Sequence, residues 1–333
     1  MTREHKGRYT TPASELAYET LRRYPGVPIR TLAHYLIANH GPLYDGDFEK
    51  ARERLRYYAG SDGSAKRQHA QRSGRLVPRV AMPKSVASVR EPYRLEPGVW
   101  GIMSDVHCPF HDEEALQAAV KFLHDTKVTG ILLNGDFQDC EAVSYWKPTR
   151  KRDFVQEVEL TLDLLDWLRG EFPRAQVVFR PANHEARLDA YYRTYAPQLA
   201  DLPTASLEVI LGLEQRKIEY LDRKQIVMAG KLPILHGDEI RMTYNPVNVA
   251  RLLGLKWKGI AACGHFHRSS QDDSTTGRGE LWTTWTFGCL CDLHPDYNPF
   301  ANGWTHGVAV VSVEKDGEFQ MHNHRIWQGG ILS

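Results

Sequence analysis

The chain lacks any long apolar run. No stretch of its 333 residues approaches the roughly 20 consecutive apolar positions of a bilayer-spanning helix, so a membrane-spanning protein is not expected. The opening segment, MTREHKGRYTTPASELAY, has no apolar h-region, so no secretory signal is expected and the cytoplasm is the expected compartment. Cysteine is sparse. The five thiols, Cys108, Cys140, Cys263, Cys289 and Cys291, are odd in number and widely spread, which excludes a small disulfide scaffold and points to reduced thiols. No CxxC pair occurs, so a thiolate zinc site has no support. Excess charge is also lacking: 42 Lys and Arg against 41 Asp and Glu give +1, which rules out a strongly polybasic or polyacidic chain. Hydrophobic residues at 42% and charged residues at 25% are ordinary globular values and argue against a fully disordered chain.

The near-zero total hides a segregation. Residues 1–90 carry 17 Lys and Arg against 8 Asp and Glu, a formal +9, so the remainder carries −8. A basic head on an acidic body points to a polyanionic partner for the head, DNA or RNA. The head reads as three helices. Ser14 is the expected cap of the first, which runs to about Tyr24. Pro28 opens the second, with Ile29, Leu32, Ala33 and Leu36 on one face. Asp47 caps the third, with Phe48, Ala51, Leu55 and Tyr58 inward and Lys50, Arg52, Arg54 and Arg56 around its remaining surface. Residues 1–60 are therefore expected to form a small all-α domain. It resembles a helix-turn-helix module, although the gap between helices two and three exceeds the usual turn of about 3–4 residues. A helical cap with a solvated basic face is the alternative. Residues 61–97 read as a basic, flexible linker, in which Lys66 and Arg67 join the candidate phosphate contacts.

From residue 98 the texture changes. Short apolar runs at 99–104, 130–134 and 176–180 alternate with amphipathic helical patterns at 113–125 and 154–168, which implies βαβ units. Further strands are expected at 225–228, 232–235 and 260–263, and a hairpin at the C-terminal end turns around Asp316-Gly317.

Metal-competent residues recur where each apolar run ends. The runs lead into Asp105-Val106-His107, Gly135-Asp136-Phe137-Gln138-Asp139, Asn183-His184-Glu185, His236-Gly237-Asp238 and Gly264-His265-Phe266-His267. Carboxyl ends of strands are where open α/β sheets place their sites. The steps from Asp105 to Asp136, to Asn183, to His236 and to His265 are 31, 47, 53 and 29 residues, each suited to one strand plus its connection. Mixed carboxylate, imidazole and amide ligands suit divalent ions such as Mn²⁺, Fe²⁺ or Zn²⁺. Two such ions about 3.5–4 Å apart generate hydroxide at neutral pH and clamp a phosphoryl group during in-line attack.

This ordered series closely resembles the calcineurin-like metallophosphoesterase superfamily over residues 98–327. The resemblance implies an α/β fold, a β-sandwich flanked by helices, here preceded by the small all-α domain. It implies a dinuclear centre in which Asp105, His107 and His267 hold one ion, Asn183, His236 and His265 hold the other, and Asp136 bridges. Manganese is the first choice of metal, with iron, zinc, nickel or magnesium as alternatives. A metal-bound hydroxide would attack in line, His184 would protonate the leaving group, and Asp139 would orient His184. Glu185 reads as a helix-start residue rather than a catalytic one. Two positions depart from the family pattern. Ala182 replaces the usual glycine before Asn-His, so that turn is expected to differ slightly. Cys140 stands where protein serine/threonine phosphatases carry arginine, which weakens a protein-phosphatase reading.

Further candidates are less specific. Trp282, Trp285, Phe287 and Trp304, with His294 and His306, line either the substrate cleft or the core. Lys147, Arg150, Lys151 and Arg152 border the crevice or open a solvated helix. Cys108 is a neighbour of His107 rather than a ligand. The layout also looks like phosphoesterases of bacteriophages and prophages, which places the expected cytoplasm in a bacterium or an infected host. The leading function is a phosphodiesterase or nuclease acting on DNA or RNA. The alternatives are a broad-specificity phosphatase whose head serves targeting or oligomerisation, and a non-catalytic nucleic-acid-binding protein.

Overall fold

The computed structural model describes residues 11–59, 84–146, 153–241 and 247–332. Lys66 and Arg67, most of the expected linker, and the cluster Lys147, Arg150, Lys151 and Arg152 lie outside them. The chain divides into two compact units, Met1–Ala87 and Ser88–Ser333.

Among its described residues the first unit contains three α-helices, α1 (Pro12–Arg23), α2 (Ile29–His40) and α3 (Phe48–Ala59). The cap of α1 is Thr11 and not Ser14: Thr11 Oγ1 accepts the Ser14 N–H, and Ser14 is buried inside the first turn. Pro12 explains the earlier start, since proline suits the first helical position. Asp47 does cap α3, its Oδ1 accepting the N–H groups of Glu49 and Lys50 at 2.8 and 3.4 Å. The gap before α3 holds a 3₁₀ turn, Gly41–Tyr44, followed by Asp45 in the left-handed region at φ 54°. Ala17, Leu21, Leu32, Ala33, Leu36, Ala51 and Leu55 make the core of this unit. Arg54 and Arg56 are exposed, while Lys50 and Arg52 pair with Asp45 and Glu49, both at 2.7 Å.

The second unit contains, in chain order, β1 (Tyr93–Arg94), β2 (Gly98–Met103), α4 (Glu113–Asp125), β3 (Gly130–Asn134), α5 (Phe154–Glu171), β4 (Gln176–Arg180), α6 (Ala186–Tyr195), α7 (Leu207–Ile210) and β5 (Ile218–Tyr220). Then come β6 (Val227–Ala229), β7 (Leu232–Leu235), α8 (Val249–Trp257), β8 (Ala261–Cys263), β9 (Ser270–Thr275), β10 (Leu281–Thr286), β11 (His306–Val313), β12 (Phe319–Trp327) and β13 (Gly330–Leu332). The strands form two sheets, ordered β1-β6-β7-β8-β10-β9 and β13-β12-β11-β2-β3-β4-β5. Strands β2 to β5 run parallel, as do β7 and β8, so the βαβ units are present. Strand β1 lies inside the 61–97 stretch and pairs with β6.

Alternation along the strands builds the layers. Trp100, Ile102, Leu132 and Val178 pack with Val227, Leu232, Ile234, Ala262, Trp285 and Phe287 in the core between the sheets. The intervening residues, Met103, Ile131, Leu133, Val177 and Phe179, pack with Leu116, Val120 and Leu123 of α4 and Leu164, Leu165 and Leu168 of α5. On the other sheet, Leu235, Ala261 and Cys263 pack with Leu253 of α8. The result is an α/β sandwich of two sheets flanked by helices. No helix among the described residues is long and apolar enough to cross a membrane.

Candidate metal centre

Strands β2, β3 and β4 are parallel neighbours, so Asp105, Asp136 and Asn183 leave the same edge of one sheet. Strands β7 and β8 are parallel neighbours in the other sheet and lead into His236 and into His265 and His267. The side chains converge. His236 Nε2 is 3.2 Å from Asp136 Oδ2 and 3.9 Å from Asp105 Oδ1. His267 Nε2 is 3.3 Å from Asp105 Oδ1 and 3.2 Å from His107 Nε2, which is 3.9 Å from Asp136 Oδ2. Two compact donor groups result, Asp105–His107–Asp136 and Asp136–His236–His265, and Asp136 belongs to both. His107, His267 and Cys291 form another group, and His107, Asp139 and His184 a fourth. The thiol brought to the cluster is thus Cys291, not Cys108. All five cysteines are buried and none forms a disulfide.

The donors fit divalent ions. Asn183 Oδ1 and His236 Nε2 are buried and make no hydrogen bond. His236 Nδ1 lies 2.8 Å from the Asn134 carbonyl oxygen, to which it donates. In the neutral ring Nε2 is then a lone pair aimed at the Asp136 carboxylate, and a cation between these two buried acceptors would satisfy both. His107 has matching polarity: Nδ1 donates to Asp139 Oδ2 at 2.9 Å and leaves Nε2 for a metal. Burial alone would raise the pKa of Asp105, Asp136 and Asp139, but the neighbouring histidines hold all three below the ordinary carboxylate value. Burial disfavours a charged His236, yet Asp136 and Asp105 raise its pKa to about 10. The cluster therefore draws positive charge.

Backbone strain is concentrated here. Asp105, His107, Asp136, His265 and His267 all have φ between 51° and 67°, a region costly for side-chain-bearing residues. Gly135 sits at φ 89°, and a Cβ there would lie 2.5 Å from both Ala182 Cβ and His236 Nδ1. The methyl of Ala182 fills the space that Gly135 leaves open, so the departure from glycine at 182 is matched across the site.

Supporting residues emerge that the motifs did not mark. Glu185 is not merely a helix-start acid. Its buried carboxylate accepts the N–H groups of Asp136, Phe137, Gln138 and Ala182 at 2.7–3.1 Å and so shapes the loop after β3. Arg180, 1% exposed, donates to Asn134 Oδ1 and pairs with Glu239, tying the two sheets beneath the cluster. Asp238 is turned away to Arg223.

His184 and Asp139 meet differently from expectation. Asp139 Oδ2 lies closer to His107 Nδ1 (2.9 Å) than to His184 Nδ1 (3.3 Å), and His184 Nδ1 bonds the backbone carbonyl of Asp139 at 3.0 Å. Arg187, absent from the sequence-derived set, donates to Asp139 Oδ1 at 3.0 Å and to His184 Nε2 at 2.9 Å. Burial lowers the His184 pKa, but Asp136 and Asp139 outweigh it and the net shift is upward. Only a neutral ring can accept from Arg187, so charging His184 releases the guanidinium. Arg187 shares one helical turn with His184, an i, i+3 spacing visible in the sequence.

A cavity of about 740 Å³ opens beside the cluster, with His107, Asp139, His184, Arg187 and Cys291 in its wall. Trp304 joins that wall, its ring 4.1 Å from the ring of His267. Trp285 and Phe287 instead pack in the core between the sheets.

Fold and cluster together define an α/β sandwich with a candidate two-ion centre at its strand ends. No family model matches the chain. The Gene 54 protein of Mycobacterium phage L5 is 23% identical over 226 residues, which are 64% of this chain and 88% of that protein. The Gene 54 protein of Mycobacterium phage D29 is 25% identical over 251 residues, 68% of this chain and 97% of that protein. Among solved structures, Vps29 from Entamoeba histolytica complexed with Zn²⁺ is similar at TM-score 0.36 and 11% identity, over 70% of this chain and 96% of that one. A dimetal phosphatase from Danio rerio is similar at TM-score 0.33 and 13% identity, over 71% and 98%. YfcE, a phosphoesterase from E. coli, is similar at TM-score 0.30 and 11% identity, over 67% and 98%.

Proposed function

We propose that the second unit is a two-metal phosphoester hydrolase that cleaves phosphodiesters of nucleic acids or nucleotides. The observation that carries the reading is the Asp136 carboxylate shared by two donor groups, with His236 Nε2 aimed at it and both His236 Nε2 and Asn183 Oδ1 buried and unsatisfied. Asp105, His107 and His267 would hold one ion, Asn183, His236 and His265 the other, and Asp136 both. Two divalent ions, manganese first among them because oxygen and imidazole donors dominate, would supply Lewis-acid polarisation of phosphoryl oxygens and a source of hydroxide at neutral pH. The chain's own residues serve the leaving group. His184 stands at the cavity wall and would give it a proton from Nε2, with Nδ1 anchored on Asp139. The acidic body is no obstacle to a phosphate substrate, because bound ions reverse the local charge. The basic head would add sequence-independent grip on a polyanion through Lys50, Arg52, Arg54 and Arg56, and through Lys66 and Arg67.

The test is a screen of metals against esters. With Mn²⁺, the protein is expected to hydrolyse bis-p-nitrophenyl phosphate and to release nucleotides from DNA or RNA. Activity on p-nitrophenyl phosphate alone would favour the phosphatase reading. The Asp136→Asn variant is expected to lose at least about a thousandfold in kcat/KM and to bind fewer ions in a metal titration. Undiminished activity in that variant would remove the proposed centre.

A further inference from the structure

The cavity beside the cluster has a composition that bears on what the substrate is. Among its described lining residues Arg187 is the only Lys or Arg, while Asp139, Glu141, Asp292 and Asp296 supply carboxylates. Arg187, at the junction with the cluster, offers one phosphoryl group a cationic partner. The volume of about 740 Å³ is that of a small-molecule site rather than a groove for a long strand.

Its walls favour a planar ring. Trp304 packs against the candidate ligand His267, and the Tyr297 ring lies 6.2 Å from Trp304, so two aromatic side chains lead away from the cluster. Both line the cavity, and Tyr297 is 72% exposed. Every nucleobase has a face that stacks on such rings. Asp292, exposed in the same wall, adds an acceptor for base N–H donors.

We propose that this cavity is a nucleoside pocket: Arg187 takes a phosphoryl oxygen, the Trp304–Tyr297 wall stacks on one base, and a phosphodiester is processed one nucleoside at a time, at a chain end or in a dinucleotide. The proposal rests on the phosphodiester reading above and narrows it. Arg187 suits this role because its guanidinium already reaches both Asp139 and His184, at the junction of the cluster and the cavity. Its side chain retains exposure on the cavity side, at 22%.

Equilibrium binding to the Mn²⁺-loaded full chain separates the pocket from the chemistry. Adenosine 5′-monophosphate is expected to bind about tenfold or more tightly than inorganic phosphate. Tyr297→Ala is expected to bring that ratio toward one. Arg187→Ala is expected to weaken both ligands, and Arg187→Lys to recover part of the loss. Equal affinity of the two ligands for the wild type, or an unchanged ratio in Tyr297→Ala, would overturn the pocket. A kinetic arm compares a linear single strand with a circle of the same sequence. Release of mononucleotides from the linear strand with the circle intact supports the proposal, and equal cleavage of the circle overturns it while sparing the hydrolase. Selective nucleotide binding without hydrolysis of any ester would instead sink the hydrolase and leave the pocket standing.

Discussion

His184 is held by three groups with different demands. Asp136 and Asp139 favour its charged form, burial disfavours it, and Arg187 contacts only the neutral ring. If the ring protonates the leaving oxygen, its value depends on how much that oxygen needs a proton. His184→Ala is therefore expected to slow an ester with an alkoxide leaving group by about 10²–10⁴ in kcat/KM. An ester of p-nitrophenol, whose anion departs unaided, should lose far less. Equal losses on both substrates would assign His184 to binding or to metal retention. The metal-competent residues themselves were legible, because each follows a short apolar run and their order along the chain is distinctive. Glu185 and Arg187 were not read as site residues, although they sit in the same turn as His184. Glu185 looks like an ordinary first-turn acid until the loop after β3 folds over it and presents three N–H groups. Arg187 acquires meaning only when Asp139, 48 positions earlier, arrives beside it. Contacts of this kind leave no local pattern.

At the scale of elements, the strand-to-loop corners carry the strain and the long helices carry the packing. The corner after β3 is tight. Gly135→Ala is expected to destabilise by several kcal/mol, since it adds a Cβ 2.5 Å from His236 Nδ1 at a residue with φ 89°. Thermal unfolding and a metal titration would read both consequences, and a wild-type Tm would contradict the geometry. Helix α5 offers a different test. Glu157 is 5% exposed, and burial raises its pKa from 4.5 to about 7, with Ala142 N–H and Gln138 opposing and the Asp139 charge adding to the rise. A carboxyl that titrates higher when folded holds its proton more tightly in the folded state. Its ionisation begins to cost stability as pH rises through 4.5, and the full cost is reached above 7. Glu157→Gln, which cannot ionise, should gain on the wild type above pH 7 by up to about 3 kcal/mol and gain nothing below 4.5. Urea unfolding at pH 4 and pH 8 checks the sign, and an offset equal at both would refute it. The elements that sequence reasoning found are α1 to α5, β2 to β4, β7, β8 and the β11–β12 hairpin, most of them periodic and apolar. Those it passed over include α6, α8 and β10 together with strands that are polar or very short. Edge strand β9 reads Ser-Gln-Asp-Asp-Ser-Thr, without an apolar face, and gains its strand identity from pairing with β10. Strand β1 is two residues long and lies in what reads as linker.

Over the whole molecule the dominant asymmetry is charge, +9 in the first 90 residues against −8 in the rest. Every residue from Asp105 to His267 that forms the cluster lies in the second unit, whose cores are built from its own residues. The first unit has its own core of Ala17, Leu32, Leu36 and Leu55. The proposed catalysis and the proposed grip on a polyanion would thus be separable along the chain. Deleting residues 1–87, which leaves the second unit whole, is expected to preserve turnover of a small ester while weakening binding to DNA or RNA. The size of the effect has a structural measure. Counterion release makes log affinity fall with log salt at a slope of about −0.9 per duplex phosphate contacted. Lys50 and Arg52 already pair with Asp45 and Glu49. They must exchange those partners for phosphates, which lowers what each contributes. The deletion should flatten the slope by about one unit for each phosphate that the head contacts, on α3 or around Lys66 and Arg67. Affinity measured between 50 and 300 mM salt for the full and shortened chains decides the matter. An unchanged slope would remove the polyanion from the head and leave the cavity of the second unit as the sole determinant of substrate.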